Sequence, residues 1–449
     1  VQSSKLLARI VGTAVDLFYR RQVISKADAV PRSGPILLVA NHHNGLVDPV
    51  VVQNTTLQIG GRLVRMLAKS TLFEMPGISV LMRTAQAIPV YRSKDGADTK
   101  QNAKTFDAVE SALVQGSAVL IFPEGISHDE PSLQPLKTGA ARMALAALES
   151  GATDLVVLPL GLSYEDKQTF RSSVAVEVGT AIAVKDFAVP SGSSEEESRA
   201  AVKRLTAAIA ERLGAITLNL QAWEDLPMLE AVDAIWLLDD PERARRLKSL
   251  ARAATRLRQA DPHSLDSLRE RLAAWVARLA SLGLKPGDLA EGAIEGRRSP
   301  KRIARFVALN LAEVLLKFPP ALFGAVFWFV PFWAVHAVYL INKPEPDVGA
   351  TVKLLASLIF YPLWYVGALL YLAQSLSLPH LLLVALIAPV GGMLTRHFIR
   401  RRFEALHKIA IFFKLGLQGQ LVDELITQRD QFCLEFDHLH ATNESLKNG

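Results

Sequence analysis

Phe318 to Ile341 contains no charged residue over 24 positions, and Leu354 to Gln374 contains none over 21. A helix rises about 1.5 Å per residue, so either run can span a hydrocarbon layer of about 30 Å. No other feature constrains the chain as much, because lipid offers the backbone no water and the runs must close their hydrogen bonds internally. Pro319-Pro320 and Pro331 make the first run a candidate for a kinked or re-entrant element. A third run, Leu381 to Thr395, is shorter, and Pro389-Val390-Gly391-Gly392 is expected to disturb it. Residues 306–398 are therefore expected to form a membrane region with two to three apolar segments. A content of 50% hydrophobic residues and a mean hydropathy of +0.22 agree with that.

The first two thirds of the chain have another character. Residues 1–25 read as an amphipathic helix and not as a signal peptide: Leu7, Ile10, Val11, Ala14, Val15 and Phe18 follow helical spacing, while Lys5, Arg9, Asp16, Arg20 and Arg21 interrupt any long apolar core. Over residues 26–190, strand-like runs at 35–40, 87–91, 117–122, 155–162 and 173–179 alternate with helical stretches near 49–58, 104–115 and 137–149. This alternation predicts an α/β fold, a mixed sheet covered by helices. Ser191-Gly192-Ser193-Ser194 reads as a linker, and Ser194 with Glu197 as a capping box opening a helical extension over 191–305. A charged helical tail over 399–449 is expected to close the chain.

Chemistry concentrates in Asn41-His42-His43-Asn44-Gly45-Leu46-Val47-Asp48-Pro49, directly after the apolar run Pro35 to Ala40. In open α/β sheets functional groups gather at the carboxyl ends of strands. A histidine titrates near neutral pH and suits a general base, and an aspartate on its other ring nitrogen fixes the tautomer. Imidazole and carboxylate at this spacing also suit zinc, so a metal-dependent hydrolase is a competing reading. Adjacent His128, Asp129 and Glu130 resemble metal ligands but seldom converge on one ion from a single loop, and no metal is expected. There is no Gly-x-Ser-x-Gly elbow, and the single cysteine, Cys433, is remote in sequence.

Three further blocks accompany this motif: Leu67 to Phe73 leading to Ala87-Ile88-Pro89-Val90-Tyr91-Arg92, then Phe122-Pro123-Glu124-Gly125-Ile126-Ser127, then Leu158-Pro159-Leu160-Gly161-Leu162. In that order, over roughly residues 30–240, the chain resembles the glycerolipid acyltransferases of the glycerol-3-phosphate and 1-acylglycerol-3-phosphate type. Lys137 to Arg142, Thr217-Leu218-Asn219 and Trp223-Glu224 resemble the fungal-type glycerol-3-phosphate/dihydroxyacetone-phosphate branch. The resemblance implies fatty acyl transfer from acyl-CoA or acyl carrier protein to glycerol-3-phosphate or lysophosphatidate, in phospholipid biosynthesis. An acyl thioester is already activated, so direct attack needs neither a covalent nucleophile nor a cofactor. The flanking Asn41, Asn44 and Asp48-Pro49 align the base with His42; the commoner four-residue spacing would select His43. Asp48 would orient the base, and Asn44, Lys69, Arg92, Glu124, Gly125 and Lys137 would bind or shape the acceptor. Arginine grips phosphate through a planar fork and lysine adds a compact charge. Lysophospholipid remodelling and a noncatalytic lipid-binding scaffold are the other readings.

The formal net charge is +6, and residues 1–104 carry 14 Lys or Arg against 6 Asp or Glu. That favours anionic membrane lipids and phosphorylated substrates. Nucleic acid is not expected, since no basic-aromatic repeat or zinc-finger spacing occurs. Arg297, Arg298, Lys301, Arg302 and Arg305 precede the apolar region, and Arg396, Arg400, Arg401 and Arg402 follow it. The positive-inside tendency then puts both flanks, and the catalytic domain, on the cytoplasmic face of an inner membrane.

Overall fold

In the computed structural model the described residues are 2–91, 101–190, 192–236, 242–289, 300–417 and 419–445. They form two compact units, Val1–Gln221 with Lys343–Leu354, and Ala222–Asn342 with Leu355–Gly449.

The first unit is built, in chain order, from α1 (Gln2–Phe18), β1 (Tyr19–Ser25), β2 (Ile36–Ala40), α2 (Val47–Gly60), β3 (Val64–Lys69), α3 (Ile78–Thr84), β4 (Ile88–Val90), α4 (Asn102–Val114), β5 (Ala118–Ile121), α5 (Gly139–Glu149), β6 (Val156–Tyr164), β7 (Ser172–Val178), β8 (Ile182–Ala183) and α6 (Glu195–Ile216). The sheet runs in the order β1-β7-β6-β2-β5-β3-β4, with β8 also on β6. Strands β2 to β6 are mutually parallel, and β7 and β8 are antiparallel to β6. Because β2 is central, both its faces are buried: Ile36, Leu38 and Ala40 join one core, Leu37 and Val39 the other. Val15, Phe18, Val47, Val51 and Val52 of α1 and α2 cover the first face. Val109, Leu113, Ala144, Leu205 and Ile209 of α4, α5 and α6 cover the second.

The capping box forms as expected, with Ser194 and Glu197 exchanging side-chain and backbone bonds at the start of α6. Two boundaries differ from the sequence reading. Residues 19–25 are not the end of the first helix but an edge strand, β1, paired in parallel with β7. And α6 is not an extension beyond the sheet domain, since Ala201, Leu205 and Ile209 complete its second core.

The second unit contains α7 (Leu226–Ile235), α8 (Arg243–Ala260), α9 (Pro262–Ser281), α10 (Pro300–Phe327), α11 (Phe329–Asn342), most of α12 (Gly349–Leu372), α13 (Leu378–Leu417) and α14 (Gly419–Ser445). The tail does not hang free: Val422, Leu425, Phe432 and Phe436 of α14 are buried, and Trp275 Nε1 of α9 donates to Leu425 O at 3.1 Å. Among the described residues two helices are long and apolar enough to cross a membrane, Gly349–Leu372 and Leu378–Thr395. A third candidate is the pair Ala312–Phe327 and Phe329–Asn342, bent by 53°.

Proline explains the bend. Pro331 offers no N–H to Phe327 O, and Trp364 Nε1 donates to that carbonyl instead, at 2.8 Å. The same device corrects the expectation for Leu381 to Thr395, because α13 runs through Pro389 unbroken. The carbonyl that Pro389 frees, Ala385 O, accepts from Tyr365 Oη at 2.6 Å. An unpaired carbonyl in hydrocarbon costs several kcal/mol, so a donor on the neighbouring helix decides whether the helix continues.

Candidate active site

The parallel strands end at one edge of the sheet, and the chemistry-bearing residues follow those ends. After β2, Asn41 is buried and its amide pairs with the Leu162 backbone, accepting from N at 2.7 Å and donating to O at 2.9 Å. This side-chain pair extends the β2–β6 ladder by one step and releases the chain into the turn that carries His42.

His42 is held at three points. Its backbone N–H donates to Glu124 Oε1 at 3.0 Å, its ring stacks on Phe122 at 3.9 Å between centroids, and Nδ1 lies 2.9 Å from Asp48 Oδ2. Asp48 sits in the first turn of α2 with no exposed surface. A buried carboxylate is costly unless donors surround it. Oδ2 also accepts from Asn44 N at 2.7 Å, and Oδ1 accepts from Tyr164 Oη. Burial and the charge of Asp48 push the Tyr164 pKa well up, so the phenol stays protonated and remains a donor. The helix N-terminus favours the same negative charge.

His43 takes a different course. Its Nδ1 lies 3.4 Å from His128 O, and its ring meets that of His128 edge-on at 4.8 Å. Burial, partly offset by Asp48, pushes its pKa down. Asn44, expected beside the substrate, is buried: its Nδ2 donates to Tyr19 Oη at 2.8 Å and to Lys167 O at 3.3 Å. Glu124 is also turned inward. Besides His42 N, it accepts from Gln134 N at 2.7 Å and pairs with His128 Nε2 at 2.5 Å. It therefore ties the loop after β5 to His42.

Gly125 has φ +74, and a Cβ there would meet Lys137 Nζ at 2.7 Å, so the Lys137 side chain lies across this glycine. Lys69 ends β3 opposite Val90 of β4. Arg92 lies outside the described residues. The His128-Asp129-Glu130 run diverges: His128 goes to Glu124, Asp129 pairs with Lys167, and Glu130 donates its N–H to His128 Nδ1. No group that could hold a metal occurs among the described residues.

Tyr19, Tyr164, Phe122 and Lys167 escaped the sequence reading as site residues. A phenol ending an apolar strand, as Tyr164 does, is a weak signal that becomes meaningful only once β6 is known to lie beside β2.

A family model described as Acyltransferase matches residues 21–163. Glycerol-3-phosphate O-acyltransferase 2 of Saccharomyces cerevisiae is 29% identical over 294 residues, covering 60% of this chain and 38% of that protein. Glycerol-3-phosphate O-acyltransferase 1 of the same yeast is 32% identical over 126 residues, covering 28% and 17%. Lyso-ornithine lipid O-acyltransferase of Brucella abortus is 27% identical over 131 residues, covering 29% and 45%. The chain thus spans less than half the length of each of these relatives.

Proposed function

Because a family model described as Acyltransferase matches residues 21–163, we propose that the chain is a membrane-bound O-acyltransferase that moves a fatty acyl group from acyl-CoA or acyl carrier protein to glycerol-3-phosphate or 1-acylglycerol-3-phosphate. The observation that carries this reading is the His42–Asp48 pair, held at 2.9 Å where β2 ends. With Nδ1–H donated to Asp48, the Nε2 lone pair of His42 takes the proton of the acceptor hydroxyl as its oxygen attacks the thioester carbonyl. The tetrahedral intermediate collapses with loss of the C–S bond, and the imidazolium returns the proton to the leaving thiolate. Asp48 stabilises the imidazolium in between. No covalent enzyme intermediate is needed.

Lys69, Arg92 and Lys137 neutralise the acceptor phosphate in this reading. The basic flanks of the apolar region favour a cytoplasmic catalytic domain on an inner membrane, beside the pool of acyl thioesters.

A phosphate-free lysolipid acceptor is the second reading, favoured by the likeness to the lyso-ornithine lipid enzyme. A radiolabelled acyl thioester offered with glycerol-3-phosphate, 1-acylglycerol-3-phosphate and a phosphate-free lysolipid separates the two. The expected outcome is free thiol and a labelled ester with a phosphorylated acceptor. Transfer to the phosphate-free lysolipid alone would move the assignment to the second reading. Thiol release with none of them would end the enzyme reading and leave a lipid-binding scaffold.

A further inference from the structure

The segment Lys343–Leu354, which runs from the end of α11 into the first turns of α12, groups with the sheet unit although it lies far along the chain. Ala350 is buried in the core on the α1–α2 face and Leu354 packs against it. Gln168 Nε2 donates to Pro346 O at 2.9 Å, and Lys353 Nζ donates to Gln168 O at 3.1 Å. Asp347 and Thr351 are both buried.

What this strap touches is the turn between His42 and Asp48. Asn44 O accepts from Val47 N at 2.8 Å and Asp48 N at 3.2 Å, which brings the Asp48 carboxylate back under His42. Leu46 caps α2 without a side-chain cap bond, and since Asn44 O already serves Val47 N and Asp48 N, it is the N–H of Leu46 itself that takes its acceptor from a later segment. Thr351 Oγ1 accepts from Leu46 N at 3.1 Å. Gly45 adopts φ +38, and a Cβ there would stand 2.8 Å from Thr351 Oγ1 and 3.2 Å from Asp347 O. The turn is therefore shaped to receive the strap.

We infer that Thr351, on the first turn of a membrane helix, is a positioning residue for the acid–base pair: by capping Leu46 N–H it holds the turn that aims Asp48 at His42. It touches no reacting atom and acts through Asp48. The kinetic part of this inference rests on the proposed acyl transfer, whereas the structural part does not.

The test uses the full chain in detergent micelles or liposomes, comparing wild type, Thr351→Val and Thr351→Ser. Valine keeps the shape and removes the acceptor; serine keeps the acceptor. Thr351→Val should lower kcat for thiol release by about 10- to 100-fold, the usual cost of a small misplacement. The Michaelis constants for both substrates should stay within about twofold, since uniform binding is untouched. Thr351→Ser should recover most of the loss. Independently of turnover, amide exchange read by mass spectrometry should quicken over residues 44–48 in Thr351→Val, with the 118–121 strand unchanged. Unchanged exchange and unchanged kcat in Thr351→Val would overturn the inference, as would a serine variant that exchanges as fast as the valine one. If the wild type releases no thiol with any acceptor, the acyl-transfer reading fails separately, and the exchange comparison still decides whether the strap holds the turn.

Discussion

His42 and His43 are adjacent in sequence and unlike in chemistry, because the backbone turns one ring toward Asp48 and the other toward His128. His42→Ala and Asp48→Asn are each expected to lower turnover by about 10² to 10⁴, the span of general-base loss. Membrane insertion should stay intact. Steady-state kinetics on the purified variants check this, and a His43→Ala enzyme with the greater loss would exchange the two assignments. His43 also has a pH signature. Burial depresses its folded pKa, so the unfolded chain takes up a proton below about pH 6.5 while the folded chain resists it. Its contribution to stability is then fully present above that pH and is lost as the pH falls. Urea midpoints measured from pH 8 to 5 should fall less steeply for His43→Gln than for the wild type; equal slopes would refute a buried neutral imidazole.

Helices α10 and α13 pack so closely that a Cβ on Gly324 would stand 2.1 Å from Gly391 C, and Thr395 Oγ1 donates across to Ala321 O at 2.6 Å. Small residues that let helix backbones approach are what association in lipid requires. Pro389 of α13 is accommodated because a neighbour supplies the missing donor. Tyr365→Phe removes the donor to Ala385 O and should destabilise the helical unit by about 0.5–2 kcal/mol. Thermal unfolding in detergent measures it. A neutral result would mean that Pro389 is tolerated without Tyr365.

The strap also bears on how the chain crosses the bilayer. In the proposed topology the basic residues near 300 and the sheet domain both lie on the cytoplasmic side; Lys343–Leu354 group with that domain, so α10 and α11 would enter and leave the bilayer by one side. The 53° bend suits such a re-entrant pair. The two crossings are then α12 and α13, which returns Arg396, Arg400, Arg401 and Arg402 to the starting side. With Cys433 replaced, single cysteines at Lys301, Lys343 and Arg400 should resist an impermeant thiol reagent in intact cells. One at Ser375, between α12 and α13, should react. Labelling at Lys343 with protection at Ser375 would make the bent pair a true span and overturn this topology.

Features that depend on near neighbours were legible before any coordinates. The β2 run, buried on both faces, reads as continuous apolar sequence; Ser194 and Glu197 announce their capping box three residues apart; His42 and Asp48 meet because a strand end and a helix start lie within one turn. The edge strand β1 was hidden, since only part of it is buried and Arg20 and Arg21 break its pattern. Lys69 and Glu124 were found by motif, yet only the fold turned Glu124 inward onto His42 N and His128. The donors that complete the site come from distant positions: Tyr164 lies 116 residues from Asp48, and Thr351 lies 305 from Leu46. Local periodicity carries no information about such pairs, because their meeting is set by strand order and by where a later segment folds back. Sequence thus determined most of the elements and the meeting of His42 with Asp48, while tertiary structure decided which distant groups hold that pair in register.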